Sequence, residues 1–367
     1  MAENRAWEGY RTFVVERKTP ESETITSFYL APEDGGALPA YRPGQFLGFS
    51  LDVPGRMTPV IRTYTISDSP ADGSHYRLSI KREPSPADQP DVPPGVSSNF
   101  FHDHVDVGSK LQVRAPTGDF ALRPDGKGPV VLLSGGVGCT PMISMLNAIA
   151  DAGATRDVWF IHGVRSGSEH AFGSHVRELA ATHDNIRAHI CYSRPDPSDE
   201  LGKDYDSQGH VSIDLLKELS VETDPQFFLC GSTPFMKSIY NGLIDWGVDE
   251  FQIVYEFFGT ASELREKSAA DKAAEMGVTP GETHQVEFRQ SGVTATWTAE
   301  AGTLLDLAEA NGVDPDFICR AGMCHTCLST LLDGETAYVV DTVVPPMGDD
   351  EVLICSARPK SDVVIDV

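Results

Sequence analysis

The chain has 367 residues, 40% of them hydrophobic and 23% charged, with a formal net charge of −25. That length fits two or three domains with packed cores. The excess of acid disfavours nucleic acid and anionic membrane surfaces as partners, and no apolar run approaches the length that spans a bilayer.

The opening residues, MAENRAWEGYRTF, hold no apolar signal core, so a cytoplasmic location is expected. Up to about residue 122 the runs TFVVERK, TITSFYLAP, QFLGFSLDV, RTYTIS and YRLSIKRE alternate or run apolar between Pro/Gly clusters. They predict a small antiparallel barrel. In RTYTIS, alternate side chains share a face, so Arg62, Tyr64 and Ile66 oppose Thr63, Thr65 and Ser67. A guanidinium suits a pyrophosphate and an aromatic face suits an isoalloxazine ring, although a barrel strand with a surface Arg and a packed Tyr reads the same way. The segment 84–95, PSPADQPDVPPG, is a proline-rich loop. In the following GVSSNFFHDH, a glycine turn (Gly95) and a helix capped by Ser98 or Asn99 would leave amides for an anion, or would be an ordinary capped helix. His102 and His104 are two apart with no third ligand placed by the sequence, which speaks against a metal there.

From Gly128 the rhythm changes to alternating strand and helix: PVVLLSGG, CTPMISMLNAIADAG, VWFIHGV, a helix near His175–Ala181, RAHICYS, a helix at 212–219, QFFLCGS, STPFMKSIYNGLIDWG and FQIVYEFFG. That alternation predicts a parallel sheet with helices on both faces. Two glycine turns, SGGVGCTPM (134–142) and CGSTPFM (230–236), each join a strand end to a helix, where a doubly wound sheet binds dinucleotides. Neither holds a G-x-G-x-x-G in register. Thr140 and Pro141 suit the first helical turn. Cys230 reads either as facing a nicotinamide or as a small buried residue. YEFFG (255–259) ends a strand in aromatics that suit core packing.

Residues 262–282 read as a charged, Ala-rich linker, helical in part. From Thr283, the runs HQVEFRQSG, TATWTAEAG, LSTLLDG and VLICSA predict strands, with a helix in TLLDLAEANG. The loop CRAGMCHTC gives Cys319, Cys324 and Cys327 the spacing C-x4-C-x2-C, and 27 residues separate Cys327 from Cys355. This is the plant-type spacing for four thiolates on a [2Fe-2S] cluster, with the small Ala321 and Gly322 letting the loop converge and Cys355 arriving from a distant strand. A four-cysteine zinc site usually pairs two C-x2-C clips, and only one is present. Cys139, Cys191 and Cys230 are scattered and need no disulfide. The last 85 residues carry 14 Asp/Glu against 4 Lys/Arg, a net −10. That excess suits solubility or a salty cytoplasm, or else a docking face for a basic partner.

Together these motifs resemble the ferredoxin–NADP reductase superfamily along almost the whole chain. RTYTIS is similar to its flavin-binding R-x-Y-[ST]-x-x-S motif. YRLSIKRE, the G-x-x-S-N turn, GDF (118–120), GGVGCTPM, HAF (170–172) and YEFFG resemble the reductase part of flavohaemoglobins, with no globin among these residues. CRAGMCHTC and Cys355 resemble a C-terminal plant-type ferredoxin, and the order is that of one-chain reductases serving multicomponent oxygenases. The resemblance implies a barrel FAD domain at 1–123, an α/β nicotinamide domain at 124–261 and a β-grasp ferredoxin domain at 283–367.

It also implies residue roles. Arg62 would bind the flavin pyrophosphate, Tyr64 stack on the ring and Thr65 bond near N5. Ser67 belongs to the same motif. Gly95, Ser98 and Asn99 form the turn that favours FAD over FMN. Gly135, Gly136, Gly138 and Thr140 would line the dinucleotide, Cys230 and Gly231 would lie near the nicotinamide, and Glu256 and Phe258 would finish the flavin pocket. Ser193 and Arg194, after Tyr192, occupy the place where phosphate-preferring members put Ser and Arg. Asp196, Asp199 and Glu200 behind them oppose a phosphate, so NADH is expected over NADPH. His325 stands where the family has a small or hydroxyl residue. It reads as inert or as tuning the cluster. The implied function is NAD(P)H-driven electron transfer through flavin and cluster to an external Rieske-type or haem oxygenase. The alternatives are a reductase for haem or ferric acceptors, a flavin/iron–sulfur redox sensor and a zinc-binding interaction module.

Overall fold

Alternating apolar residues in the N-terminal runs each give one inward face, and six such strands bury those faces together. In the computed structural model, which describes residues 7–85, 93–123, 126–258, 264–265, 269–317, 320, 322, 326–339, 346, 348 and 350–367, these are β1 (Arg11–Pro20), β2 (Ile25–Pro32), β3 (Phe46–Leu51), β4 (Val60–Thr65), β5 (Tyr76–Lys81) and β6 (Lys110–Thr117), with α1 (Val96–His104) between the last two. They pair antiparallel in the order β4-β3-β6-β1-β2-β5. The two edges meet through an Ile66–Leu78 bridge and a bond from Ser67 N–H to Arg77 C=O (2.8 Å), so the sheet closes into the expected barrel. β6, KLQVRAPT, is a strand beyond the five expected, its alternation interrupted by Pro116. Phe13, Phe28, Phe49, Tyr76 and Phe101 fill the barrel core.

The second half of the first compact unit, Met1–Arg265, follows the predicted α/β alternation. Its elements are β7 (Val130–Gly135), α2 (Cys139–Asp151), β8 (Val158–Val164), α3 (Gly173–Thr182), β9 (Ile186–Tyr192), β10 (Ser207–Gln208), α4 (Ile213–Glu218), β11 (Gln226–Cys230), α5 (Thr233–Trp246) and β12 (Ile253–Glu256). All pairings are parallel, in the order β10-β9-β8-β7-β11-β12. Strands buried on both faces need two cores. One gathers Leu132, Phe160 and Phe228 with α2 and α3 residues, and the other gathers Val131, Ile161 and Phe227 with α4 and α5 residues. The strand order reverses direction between β7 and β11, which makes their carboxyl ends the topological switch point.

The second compact unit, Glu266–Val367, begins with α6 (Ala269–Met276), so part of the expected linker is helical, and Ala273 is buried in this unit's core. The strands are β13 (Thr283–Phe288), β14 (Val293–Thr298), then α7 (Leu304–Ala310), β15 (Leu328–Asp333), β16 (Thr336–Tyr338), β17 (Glu351–Leu353), β18 (Ala357–Pro359) and β19 (Val363–Ile365). A mixed sheet runs β14-β13-β19-β15-β17, and β16 pairs with β18. The short β16, β18 and β19 were not anticipated, because three-residue strands carry too little periodicity to be seen. Fully buried Trp297 anchors this core and donates to Gly302 C=O at 2.7 Å, so its loss to Ala would cost about 3–5 kcal/mol.

Candidate functional site

On the barrel, β4 carries the RTYTIS residues toward α1. Tyr64 packs edge-on against Phe101 (centroids 5.1 Å apart) and donates from Oη to Ser97 Oγ at 2.9 Å. Burial pushes its phenol up to about 12, so the ring is fixed as a neutral, oriented surface. Arg62 is exposed and Thr65 is buried. Ser67 is buried in a chain of hydroxyls, with Oγ 2.8 Å from Ser79 Oγ, which is 2.7 Å from Ser27 Oγ.

The expected capping of α1 by Ser98 or Asn99 is corrected. Gly95 takes the N-cap position (φ −58°, ψ 119°), and among the described residues no side chain caps the helix. Ser98 and Asn99 therefore fall inside the first turns, where Asn99 Nδ2 donates to Gly95 C=O (2.7 Å) and Glu83 C=O (2.8 Å). The glycine is needed by space: a Cβ there would stand 2.6 Å from Ser98 Oγ and 3.0 Å from Glu83 Cβ. His102 donates from Nε2 to Ile80 C=O at 2.9 Å, and burial lowers its pKa, so it docks α1 on β5 as a neutral ring.

At the switch point the two glycine turns lie against each other. β7 runs into a 3₁₀ turn (Gly136–Gly138) and then α2, as the sequence predicts, with Gly136 at φ +56°. A Cβ on Gly138 would collide with the Cys230 carbonyl, and one on Gly135 or Gly231 would press the Phe235 ring at 3.2 or 2.6 Å. Backbone from both turns thus approaches without side chains between, which is the cradle a dinucleotide phosphate requires. Thr140 is buried and donates from Oγ1 to Val137 C=O (3.2 Å). Cys230 is fully buried in the core under α2, and burial raises its thiol well above the usual range.

Register sets Cys230 of β11 beside Glu256 of β12. Glu256 Oε2 is buried with no hydrogen-bond partner, and burial raises the carboxyl from 4.5 to about 8. An orphaned acid at the end of a strand next to the switch point fits a bound group that would complete it. Phe258, two residues on, is 44% exposed, and Gly259 lies outside the described residues.

Ser193 and Arg194 follow β9, and their backbone amides donate to Val164 C=O (3.0 Å) and Arg165 C=O (2.8 Å). The acids behind them are engaged in the loops: Asp199 Oδ2 accepts from the amides of Gly167 (3.0 Å) and Asp196 (2.6 Å). The Ser166 and Ser168 hydroxyls hold Asp196 below the usual carboxylate range. A polar run that the sequence motifs do not announce crosses the strand ends. Ser134 Oγ lies 2.9 Å from His162 Nδ1, and His170 Nδ1 lies 2.8 Å from Tyr192 Oη. Burial drives His162 down to about 3 and His170 to about 4, so both rings are neutral. The available signal was a Ser and a His inside the apolar runs VVLLSGG and VWFIHGV.

In the second unit, Leu328 of β15 pairs with Leu353 of β17, and Ile354 N–H donates to Cys327 C=O at 3.4 Å. That register brings Cys327 and Cys355 to one place, both buried. Cys355 does not come from a strand as expected. β17 ends at Leu353, Ser356 N–H bonds back to Leu353 C=O (3.0 Å), and the cysteine sits in the resulting turn. Cys319, Cys324, Ala321 and His325 lie outside the described residues, while Gly322 has φ +67°, the left-handed backbone a tight loop uses. Two soft, buried sulfur donors brought together by sheet register fit an iron–sulfur cluster.

Residues 12–122 match the oxidoreductase FAD-binding domain, residues 132–241 the oxidoreductase NAD-binding domain and residues 287–360 the 2Fe-2S iron-sulfur cluster binding domain. The flavohem-like FAD/NAD-binding domain of nitric oxide dioxygenase from Vibrio cholerae O1 biovar El Tor is 35% identical, matched over 100% of its length and 69% of this chain, with a TM-score of 0.61. This chain belongs to the ferredoxin–NADP reductase superfamily. The superfamily assignment bears out the expected fold classes and the three cofactor domains in their expected order, making the chain an oxidoreductase by domain content. A flavohemoprotein from Halalkalibacterium halodurans is 42% identical over 258 residues, 70% of this chain. The chain spans 62% of the length of that relative. Phthalate dioxygenase reductase, at 20% identity, shares the fold over 98% of both chains with a TM-score of 0.58, ferredoxin domain included. No helix among the described residues is long and apolar enough to cross a membrane.

Proposed function

We propose that the chain is an NAD(P)H-dependent reductase that passes electrons through flavin and a [2Fe-2S] cluster to an external oxygenase of Rieske or haem type. The observation that carries this reading is the convergence of Cys327 and Cys355 in a unit that follows a flavin barrel and a nicotinamide sheet in one chain. The phthalate dioxygenase reductase relative, titled a modular structure for electron transfer from pyridine nucleotides to [2Fe-2S], has the same order and supports it. In this reading residues 1–123 bind FAD, 124–261 the dinucleotide and 283–367 the cluster. Residues 262–282 connect them, although the compact second unit begins at Glu266.

A bound flavin would supply two-electron chemistry toward the nicotinamide and one-electron chemistry toward the cluster. The protein's part is to hold and insulate. Arg62, with Gly95, Ser98 and Asn99 at the start of α1, binds the flavin phosphates, and Tyr64 and Thr65 present the ring's polar and aromatic contacts. Gly135, Gly136, Gly138, Thr140 and Gly231 admit the dinucleotide, with Cys230 near the nicotinamide. Glu256, whose carboxyl burial keeps neutral, and Phe258 would finish the flavin pocket. Ser193 and Arg194 meet the adenine-side ribose, with NADH the expected donor. Cys319, Cys324, Cys327 and Cys355 ligate the cluster.

Anaerobic addition of NADH to the purified holoprotein tests this directly. The flavin absorbance should bleach and a reduced-cluster EPR signal should appear; absence of either sinks the reading. Rapid NADH-dependent reduction of cytochrome c separates a reductase from a redox sensor, which would show negligible turnover.

A further inference from the structure

One residue of the ligand loop is tied down by a device that the cluster chemistry alone does not call for. Arg320, next in sequence to Cys319, has a left-handed backbone (φ +51°), costly for a long side chain, and is only 13% exposed. Its Nη1 donates to Asp306 Oδ1 at 3.0 Å, and its Nη2 to both oxygens of Glu309 at 2.6 Å. The guanidinium also lies 4.2 Å above the Phe317 ring. Both acids stand on α7, one turn apart. Asp306 is shared: its Oδ2 accepts from Thr303 N–H (2.9 Å) and Thr303 Oγ1 (2.7 Å), closing the capping box of α7.

The same helix reaches the other end of the ligand set. Leu305 N–H donates to Ile354 C=O at 2.9 Å, one residue before Cys355. The buried face of α7, Leu304, Leu305, Leu307 and Ala308, is packed into the core of this unit. The helix is therefore a strut with a backbone bond beside Cys355 and a charged clamp on Arg320, the residue that follows Cys319 in the sequence.

We propose that Arg320 is a positioning residue for the [2Fe-2S] cluster, holding the Cys319 end of the loop on α7 through Asp306 and Glu309 and setting the fixed charge beside the cluster. The proposal rests on the reading that these cysteines bind a cluster. Its consequence is a sign rule. One cation against two carboxylates leaves a net charge of −1. Arg320→Gln leaves two uncompensated acids, which disfavours the added electron and lowers the reduction potential. Glu309→Gln leaves the cation balanced by Asp306 alone and raises it. Simple loosening of the loop would move both variants the same way.

The experiment is a redox titration of the cluster in the full-length holoprotein, followed by EPR, together with the rate of cluster bleaching under a chelator. For Arg320→Gln we expect a lowered potential and roughly tenfold faster bleaching, the scale of outer-shell effects on metal affinity. Glu309→Gln should show a raised potential. Arg320→Lys keeps the charge but not the fork, so it should hold the wild-type potential while bleaching faster. Potentials that stay put, or that shift the same way in Arg320→Gln and Glu309→Gln, overturn the clamp. Should Arg320→Gln fail to fold by circular dichroism, Arg320→Lys and Glu309→Gln decide the matter by the same criteria. A wild-type protein without any reduced-cluster signal overturns instead the functional reading on which the proposal stands.

Discussion

At the end of β12, Glu256 is half-buried with its Oε2 sealed from solvent and without a partner, and its carboxyl rises to about 8. On α7 of the second unit, Asp306 and Glu309 meet a guanidinium that is itself only 13% exposed. The nicotinamide end of the chain thus buries an acid by neutralising it, and the cluster end buries charge by pairing it. Both avoid the cost of a bare ion in a low-dielectric site. They leave different capacities: a neutral carboxyl at pH 7 can exchange a proton with what binds beside it, whereas an ion pair holds a fixed field. Hydride transfer moves two electrons together with a proton, while a cluster changes charge by one electron and benefits from surroundings that do not move.

The largest expected effect separates the two ends entirely. Cys355→Ser should abolish the reduced-cluster EPR signal and reduction of cytochrome c, while flavin bleaching by NADH continues at the wild-type rate. Stopped-flow absorbance and EPR on the same sample check this. Loss of flavin bleaching as well would mean that the two ends are not independent. A smaller effect is expected at Glu256. Its folded pKa of about 8 lies above the ordinary 4.5, so between those values the folded state binds a proton that the unfolded state has released. Its contribution to stability is present in full below pH 4.5 and is lost as pH rises to about 8, with a slope of at most about 1.4 kcal/mol per pH unit. Glu256→Gln imitates the neutral form and removes that slope. Denaturant midpoints of variant and wild type should therefore differ increasingly in the variant's favour from pH 5 to pH 8; a constant difference would mean that the carboxyl is ionised in the fold.

These two sites were unequally legible in the sequence. The glycine turns at 135–138 and 231 could be read because strand, turn and helix are adjacent in the chain, so local pattern alone fixes their place at a sheet edge. Glu256 was reached through resemblance to a family, but its orphaned oxygen depends on β12 lying beside β11, a pairing such as Cys230 with Glu256 between residues far apart in the chain. The Arg320 clamp was missed altogether. CRAGMCHTC draws the eye to its cysteines, and nothing local says that the Arg turns toward a helix whose acids read as ordinary solvent-facing charge. The capping of α1 was misplaced for a related reason. Ser98 and Asn99 are good cap residues by type, but the space beside Glu83 and Ser98 makes Gly95 the residue that fits where the helix must begin. Polar side chains whose partners lie far along the chain are where sequence patterns carry least.

The smallest effect tests whether charge at the cluster end reaches beyond the molecule. The last 85 residues carry a net −10, and the chain as a whole −25. If that excess guides a basic acceptor, raising salt from about 0.01 M to about 0.1 M, which shortens the Debye length from about 30 Å to about 10 Å, should slow acceptor reduction a few fold. NADH-driven flavin bleaching, measured at saturating NADH, should stay level over the same range, because transfer within an already formed complex does not depend on the encounter of two charged partners. Adaptation to a salty interior predicts the opposite sign, with both rates rising or holding as salt screens the acid against itself. The measurement therefore needs only the ratio of the two rates at each salt concentration. A ratio that falls with salt assigns the acid to docking, and one that stays constant assigns it to the solubility of the chain.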